Sequence, residues 1–210
     1  MYYWDKYYKK IYYISKPSTF VKFLVKKKLI RKKNKILELG CGDGRDSFYL
    51  AKNSRRILSV DKSKIIIKKN NQILKKYIIN NLIFKQTNLL DNNFFSNINK
   101  FDIIYARFFF HAINKRSENK IIKNIMTNIK KNTLLVTEFR TIFDEMKNRG
   151  KKISKHENFT NHYRRYIDSK QFIQKILKYK AKLIYMKQGK NLSIYKNDNP
   201  HLCRIIIKKI

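Results

Sequence analysis

Residues 36–46 read Ile36-Leu37-Glu38-Leu39-Gly40-Cys41-Gly42-Asp43-Gly44-Arg45-Asp46, and this stretch decides the fold. A short apolar run ends in glycines at alternate positions, and a segment with helical spacing follows at once through residues 47–52. That is the pattern of a strand delivering its C-terminus into a turn at the start of a helix. Glycine lets the backbone pass close to a ligand with no Cβ in the way. The helix start adds N–H groups that have no partner within the helix. A dinucleotide-binding turn spaces its glycines as G-x-G-x-x-G. Here the third glycine comes one residue early, and Arg45 holds the sixth position. The spacing argues against a pyrophosphate ligand, and so against a nicotinamide-dependent reductase, and for something shorter. Asp61 ends the next apolar run, RILSV (56–60), where a carboxylate can accept hydrogen bonds from both hydroxyls of a ribose.

Outward from the turn, short apolar runs alternate with longer polar ones. KILEL (35–39), RILSV (56–60), NLIFKQTN (81–88), FDIIYA (101–106) and TLLVTEF (133–139) read as strands, with helices over 62–77 and 118–131. Residues 144–165 read as irregular and basic. A helix over 168–178 then precedes the strands AKLIYMK (181–187) and LCRIIIKK (202–209). Strands alternating with helices predict an α/β fold, a three-layer Rossmann-like sandwich. Only residues 188–201 separate the last two strands, so they should pair antiparallel. The expected sheet is seven-stranded and mostly parallel, closed by a C-terminal antiparallel hairpin. This domain spans 35–210. Residues 1–34, aromatic and basic, are expected to form an N-terminal helical lid, in which Ser18 stands as N-cap to an amphipathic helix carrying Phe20, Val21, Phe23, Leu24 and Val25.

With 43% hydrophobic residues the chain can build a core, which excludes wholesale disorder. Fifty Lys+Arg against 14 Asp+Glu give a net charge of +36, which suggests a polyanionic partner. The lysines, however, run from Lys6 to Lys209 without gathering into one stripe, and Asn, Ile, Tyr and Phe are plentiful too. The excess therefore reads first as the codon bias of an AT-rich genome and second as a nucleic-acid footprint. Cys41 and Cys203 form no CxxC pair or Cys/His cluster, so neither a disulfide framework nor a metal site is expected. The N-terminal residues carry no apolar signal segment, and no run is long enough to span a bilayer. A cytoplasmic protein with no membrane partner is expected; oligomeric state is left open.

The turn, the acid after the second strand and the closing hairpin together resemble the class I (Rossmann-like) S-adenosylmethionine-dependent methyltransferases, over roughly residues 35–209. The resemblance implies S-adenosylmethionine as cofactor. Its glycine-rich motif matches Glu38, Gly40, Cys41, Gly42 and Gly44, with Gly40 and Gly42 lining the methionine part. Asp61 would take the ribose, with Lys62 beside it. Asn88 replaces the acid that usually meets the adenine amino group, and its oxygen can still accept from that amine. Leu89 would lie beside the adenine, and Arg107 and Phe108 would approach the sulfonium. Asp102 matches the motif that begins the substrate side. Of the 14 acids, Glu38, Asp43, Asp46, Asp61, Asp91 and Asp102 fall in or beside these turns, as a cationic, ribose-bearing ligand would want. The N-terminal Tyr2, Tyr3, Trp4, Tyr7 and Tyr8 resemble the aromatic lid of the thiopurine and tellurite-resistance methyltransferases. There Trp4 and Tyr8 would meet the substrate, and an aromatic face suits a sulfonium. The alternative is a helix packing its tyrosines on the sheet.

Acceptor chemistry is sought at the C-terminal ends of the strands, where open α/β sheets bind ligands. His111, just past the fourth strand, is the best-placed general base, with a core or capping role as its alternative. Arg107 and Arg140 stand at strand ends as further catalytic candidates. His162-Tyr163-Arg164-Arg165 form an arginine and aromatic cluster in a chain otherwise dominated by lysine. Arginine is the fork that grips carboxylate or phosphate. Arg107, Arg140, Arg164 and Arg165 are thus expected to form a pocket for a small anionic acceptor, methylated on O, N or S. An RNA methyltransferase of cap or 2′-O type is the alternative. YARFFF stands where base-amino methylating enzymes show Asn-Pro-Pro-Tyr. A non-catalytic binding protein on the same fold is disfavoured, because such a protein would have little need to keep both the glycine turn and Asp61.

Overall fold

Apolar, β-branched runs flanked by glycine and asparagine form strands that are buried on both faces, as a parallel sheet requires. The computed structural model describes residues 3–9, 14–195 and 197–210. Strands β1 (Lys35–Leu39), β2 (Arg56–Asp61), β3 (Leu82–Gln86), β4 (Ile103–Arg107) and β5 (Leu134–Arg140) lie parallel. After them come β6 (Lys151–Ser154), β7 (Glu157–Phe159) and β8 (Tyr163–Arg165), then β9 (Ala181–Gly189) and β10 (Leu202–Lys209). The main sheet has seven strands in the order β3-β2-β1-β4-β5-β10-β9. β10 runs antiparallel to both its neighbours, so the expected closing hairpin is present. The chain leaves β1 toward β2 on one side and returns to β4 on the other. A crevice therefore opens between the ends of β1 and β4, where doubly wound sheets bind ligands.

Six helices accompany the strands: α1 (Tyr3–Lys9), α2 (Thr19–Lys26), α3 (Arg45–Asn53), α4 (Lys64–Tyr77), α5 (Lys115–Asn128) and α6 (Ser169–Leu177). Several starts carry side-chain caps: Ser18 accepts from the Val21 N–H, Asn114 from Ser117, and Asp168 from Lys170 and Gln171. One face of the sheet packs Leu37, Ile104 and Leu135 against Ile121, Ile122 and Ile125 of α5. The other packs Ile36, Ile103 and Val136 against α2 and α3. Phe20, Val21 and Leu24 of α2 are fully buried there, each burial adding about 1.5–3 kcal/mol. Half of the segment expected as a lid thus belongs to the core, and only α1 lies over the site.

The stretch expected to be irregular, 144–165, instead forms a second, three-stranded antiparallel sheet, β6-β7-β8. Its strands are only three or four residues long, and every β6 residue is exposed, so no apolar alternation marked them. Asn158, fully enclosed, binds the carbonyls of Met146 and Arg149 through its Nδ2 and ties the small sheet to the turn before it. Among the described residues no helix is long and apolar enough to cross a membrane.

Candidate cofactor and acceptor site

The glycine turn carries the backbone from β1 into α3 with φ of +69° at Gly40, +53° at Gly42 and +75° at Gly44. Only glycine adopts that left-handed run cheaply. A Cβ at Gly40 would meet the Phe109 ring at 2.9 Å, and one at Gly42 would meet the Tyr8 hydroxyl at 2.9 Å. The cradle therefore faces aromatic groups, and a side chain would fill it. Glu38 lies beneath the turn, fully buried, where it accepts from the hydroxyls of Ser47 in α3 and Ser59 in β2. Burial pushes its carboxyl up to about 8, against the two serine hydroxyls. Asn70 of α4 donates to the Gly42 carbonyl at 2.8 Å, while its buried Oδ1 has no partner.

Asp61 ends β2 beside this turn. Its carboxylate accepts from the Gly42 N–H at 3.1 Å and the Ser63 N–H at 2.9 Å. Burial raises its carboxyl, and the N–H donors of Ser63, Gly42 and Lys62 oppose the shift. In a chain of +36 this acid makes no salt bridge among the described residues. Its remaining lone pairs suit ribose hydroxyls.

Helix α1 closes over the turn. Tyr8 is buried against Gly42, and burial, then Asp61, raises its hydroxyl well above the ordinary phenol value. Asp5 accepts from the Ser63 hydroxyl, and Lys69 of α4 donates to the carbonyls of Tyr8 at 2.7 Å and Lys9 at 3.1 Å. Tyr3 stacks on His162 and Trp4 lies tilted against it, with ring centroids at 4.8 and 4.9 Å. One short helix therefore touches both the glycine turn and the roof formed by the second sheet. Tyr8 falls beside the glycine turn and Trp4 beside His162; Tyr2 lies outside the described residues.

At the end of β4 the chain turns through Phe108 at φ +55°, a bulky residue in the left-handed region. Such strain costs about 1–3 kcal/mol and is typical of functional sites. The Arg107 guanidinium lies 4.0 Å from the Phe108 ring, donates to Glu138 at 2.9 Å and to the Ser193 hydroxyl at 3.0 Å. His111 follows, its ring 4.9 Å from Phe108. Its Nδ1 accepts from the Arg140 N–H at 3.2 Å. That bond fixes the ring proton on Nε2. Burial and the charges of Arg140, Arg164, His162 and Arg107 hold the imidazole well below its ordinary value. In this geometry the Nδ1 lone pair is engaged and Nε2 carries the proton, which leaves His111 one N–H to donate.

The expected four-arginine pocket is reduced to one. Arg140 is held by Asp144 at 3.0 Å and by Asp198. Arg165 turns inward to Glu118 and to the carbonyls of Phe110 and Ile113. Tyr163 donates to Glu157 on the same small sheet. Arg164 alone keeps no carboxylate within ion-pair reach among the described residues; one terminal nitrogen meets Thr160 and Asn161. Beside it the His162 Nδ1 is buried without a partner, and burial with Arg164 and Arg140 lowers that imidazole to about 3.

Several acids grouped with the site by sequence do other work. Asp46 accepts from the Ser18 N–H at 2.7 Å and the Tyr105 hydroxyl at 2.6 Å, locking α2 to α3 and β4. Asp91 caps a short helical turn, and Asp102 starts β4 on the opposite rim, paired with Lys130. The Asn88 oxygen accepts from the Leu90 N–H at 3.3 Å, so one lone pair is already engaged. Leu89 is buried, Lys62 is exposed, and Cys41 packs its thiol into the core beside the turn. Phe109, Asn70 and Ser193 join the site without any signal in the sequence, because loop closure and helix phase bring them there.

A doubly wound sheet of this order, with a glycine turn after β1 and an acid ending β2, is the architecture of a class I methyltransferase, the class that takes its methyl group from S-adenosylmethionine. Residues 30–192 match the methyltransferase-domain family, and the chain belongs to it. No curated protein matches it in sequence. Among solved structures it is similar to S-adenosylmethionine-dependent methyltransferases from three organisms. The Methanosarcina mazei protein is 16% identical with a TM-score of 0.75, the match covering 89% of this chain and 97% of that one. The Anabaena variabilis protein is 15% identical at 0.72, covering 99% and 92%. The Clostridium acetobutylicum protein is 13% identical at 0.71, covering 98% and 96%.

Proposed function

We propose that the chain binds S-adenosylmethionine across the ends of β1, β2 and β4 and methylates a small anionic acceptor held at Arg164. When bound, the cofactor supplies a sulfonium-activated methyl group, which passes to a lone pair of the acceptor while the bonding electrons stay on sulfur. Gly40 and Gly42 would leave room for its methionine part, Asp61 would accept from the ribose hydroxyls, and Leu89 with Asn88 and Lys62 would border the adenine. Tyr8 would close the turn from above. Phe108 and Arg107 form the wall between this cleft and the acceptor side.

The observation that carries the acceptor reading is Arg164, the one site arginine without a carboxylate partner, placed beside two neutral imidazoles. His111 would donate from Nε2 to hold the acceptor, and its neutral state keeps it from repelling a sulfonium. Holding acceptor and methyl donor in line supplies most of the acceleration in such displacements, up to about 7–11 kcal/mol in the best-oriented cases. Arg107 and Arg140 support this wall through their carboxylate pairs. The acceptor's own proton, where it has one, leaves to water.

The test is calorimetric titration of the full chain with S-adenosylmethionine, S-adenosylhomocysteine and NADH at low and high salt, followed by a methyl-transfer screen over small anions. Salt-tolerant binding of the first two and none of NADH is expected. Failure of both sulfur compounds to bind sinks the cofactor site. Transfer to neutral acceptors, undiminished in Arg164→Gln, sinks the anionic acceptor.

A further inference from the structure

We propose that the anion recognised at Arg164 is a single carboxylate and not a phosphate; the inference rests on the anionic-acceptor reading above and narrows it. The charges around the site decide it. Arg107 and Arg204 share the carboxylate of Glu138, at 2.9 and 2.6 Å. Arg140 faces two carboxylates, Asp144 and Asp198. Among the described residues these three guanidiniums and three carboxylates cancel, and Arg164 is left without a carboxylate of its own. A monoanion completes that balance. A dianion leaves one negative charge without a counterpart in a partly buried site.

The donors agree with the charge count. The Arg164 terminal nitrogen that meets Thr160 and Asn161 is spent, while the opposite edge, its Nε and other terminal nitrogen, has no partner among the described residues. Such an edge presents two parallel N–H groups that can take two oxygens of one carboxylate or phosphate alike, so the charge count decides between them. His111 can offer a single N–H, since Nδ1 is taken by the Arg140 amide, and His162 adds one more neutral ring. Neither imidazole brings the second positive charge that a phosphate dianion would require. Tyr3, stacked on His162, and Trp4, tilted against it, line the site with aromatic rings.

The test uses thermal unfolding of the whole protein, with and without S-adenosylhomocysteine, at constant ionic strength set by chloride. The probes are acetate and benzoate on one side, and inorganic phosphate at a pH where it is a dianion on the other. Carboxylates are expected to raise the midpoint. Arg164→Gln should weaken them about tenfold, the loss of a charge-assisted pair. Arg164→Lys, which keeps the charge and loses the fork, should recover only part of the effect. Phosphate should do no more than chloride once the Arg164-independent part, read in the Gln variant, is subtracted. Arg164-dependent stabilisation by phosphate equal to that by carboxylate overturns the inference and leaves the anionic acceptor standing. No Arg164-dependent effect of any probe overturns both, and loss of the S-adenosylhomocysteine shift is seen separately as failure of the cofactor site.

Discussion

At the scale of single residues, Asp61 and Glu38 show how one environment can give two carboxylates different work. Asp61 keeps lone pairs open beside the turn, so Asp61→Ala should weaken S-adenosylmethionine binding by about 1–3 kcal/mol. Calorimetry checks this, and unchanged affinity would remove Asp61 from the site. Glu38 faces inward, and its carboxyl is raised to about 8 from an ordinary 4.5. A carboxyl raised in the fold holds its proton there after the unfolded chain has lost it. Its contribution is complete below the unfolded value and disappears as pH rises toward the folded one. Between those limits stability should fall by about 1.4 kcal/mol per pH unit from this group alone. Glu38→Gln, which cannot titrate, should flatten that slope in denaturant titrations at several pH values. An unaltered slope would mean that Glu38 is ionised in the fold.

At the scale of elements, the main sheet could be read from sequence because each strand is an apolar run with its own punctuation. The turn at residues 40–44 was legible for a local reason: the left-handed backbone needs glycine, and glycine is visible. What stayed hidden is long-range. Nothing in YARFFFHAI says that the His111 Nδ1 will meet the Arg140 amide, and this contact leaves the ring one N–H to donate. The side-by-side arginines of β8 are likewise indistinguishable until alternation sends Arg165 to Glu118 and Arg164 to the cleft. That difference predicts opposite effects of the same substitution. Arg165→Ala leaves Glu118 buried with Lys175 and, at 4.0 Å, the more exposed Lys115 as partners, and should cost about 3 kcal/mol, visible as a lowered midpoint in thermal unfolding. Arg164→Ala should change stability by no more than about 0.5 kcal/mol. Equal losses in the two variants would contradict the assignment of one to the core and the other to the site.

Across the whole molecule, the acids are few and unevenly spent. Glu38, Asp46, Glu118, Glu138 and Asp144 are buried, so fewer than the 14 in the sequence remain to offset the lysines outside. Arg140, Arg165 and Arg204 are buried with them, so nearly all of the net +36 stands on the surface. Raising ionic strength should stabilise the fold by screening this repulsion within a Debye length of about 8–10 Å. The thermal midpoint should climb between low and physiological salt, and a flat or falling midpoint would mean that specific ion pairs outweigh the general repulsion. The placement of α1 has an optical consequence. Trp4 is the chain's single tryptophan, and its ring lies against His162 and Tyr8, between the acceptor roof and the glycine turn. Emission excited beyond the tyrosine band therefore comes from this one position, so the native protein carries an intrinsic reporter at its site. Ligands entering from either side should shift its intensity or colour without any label being added.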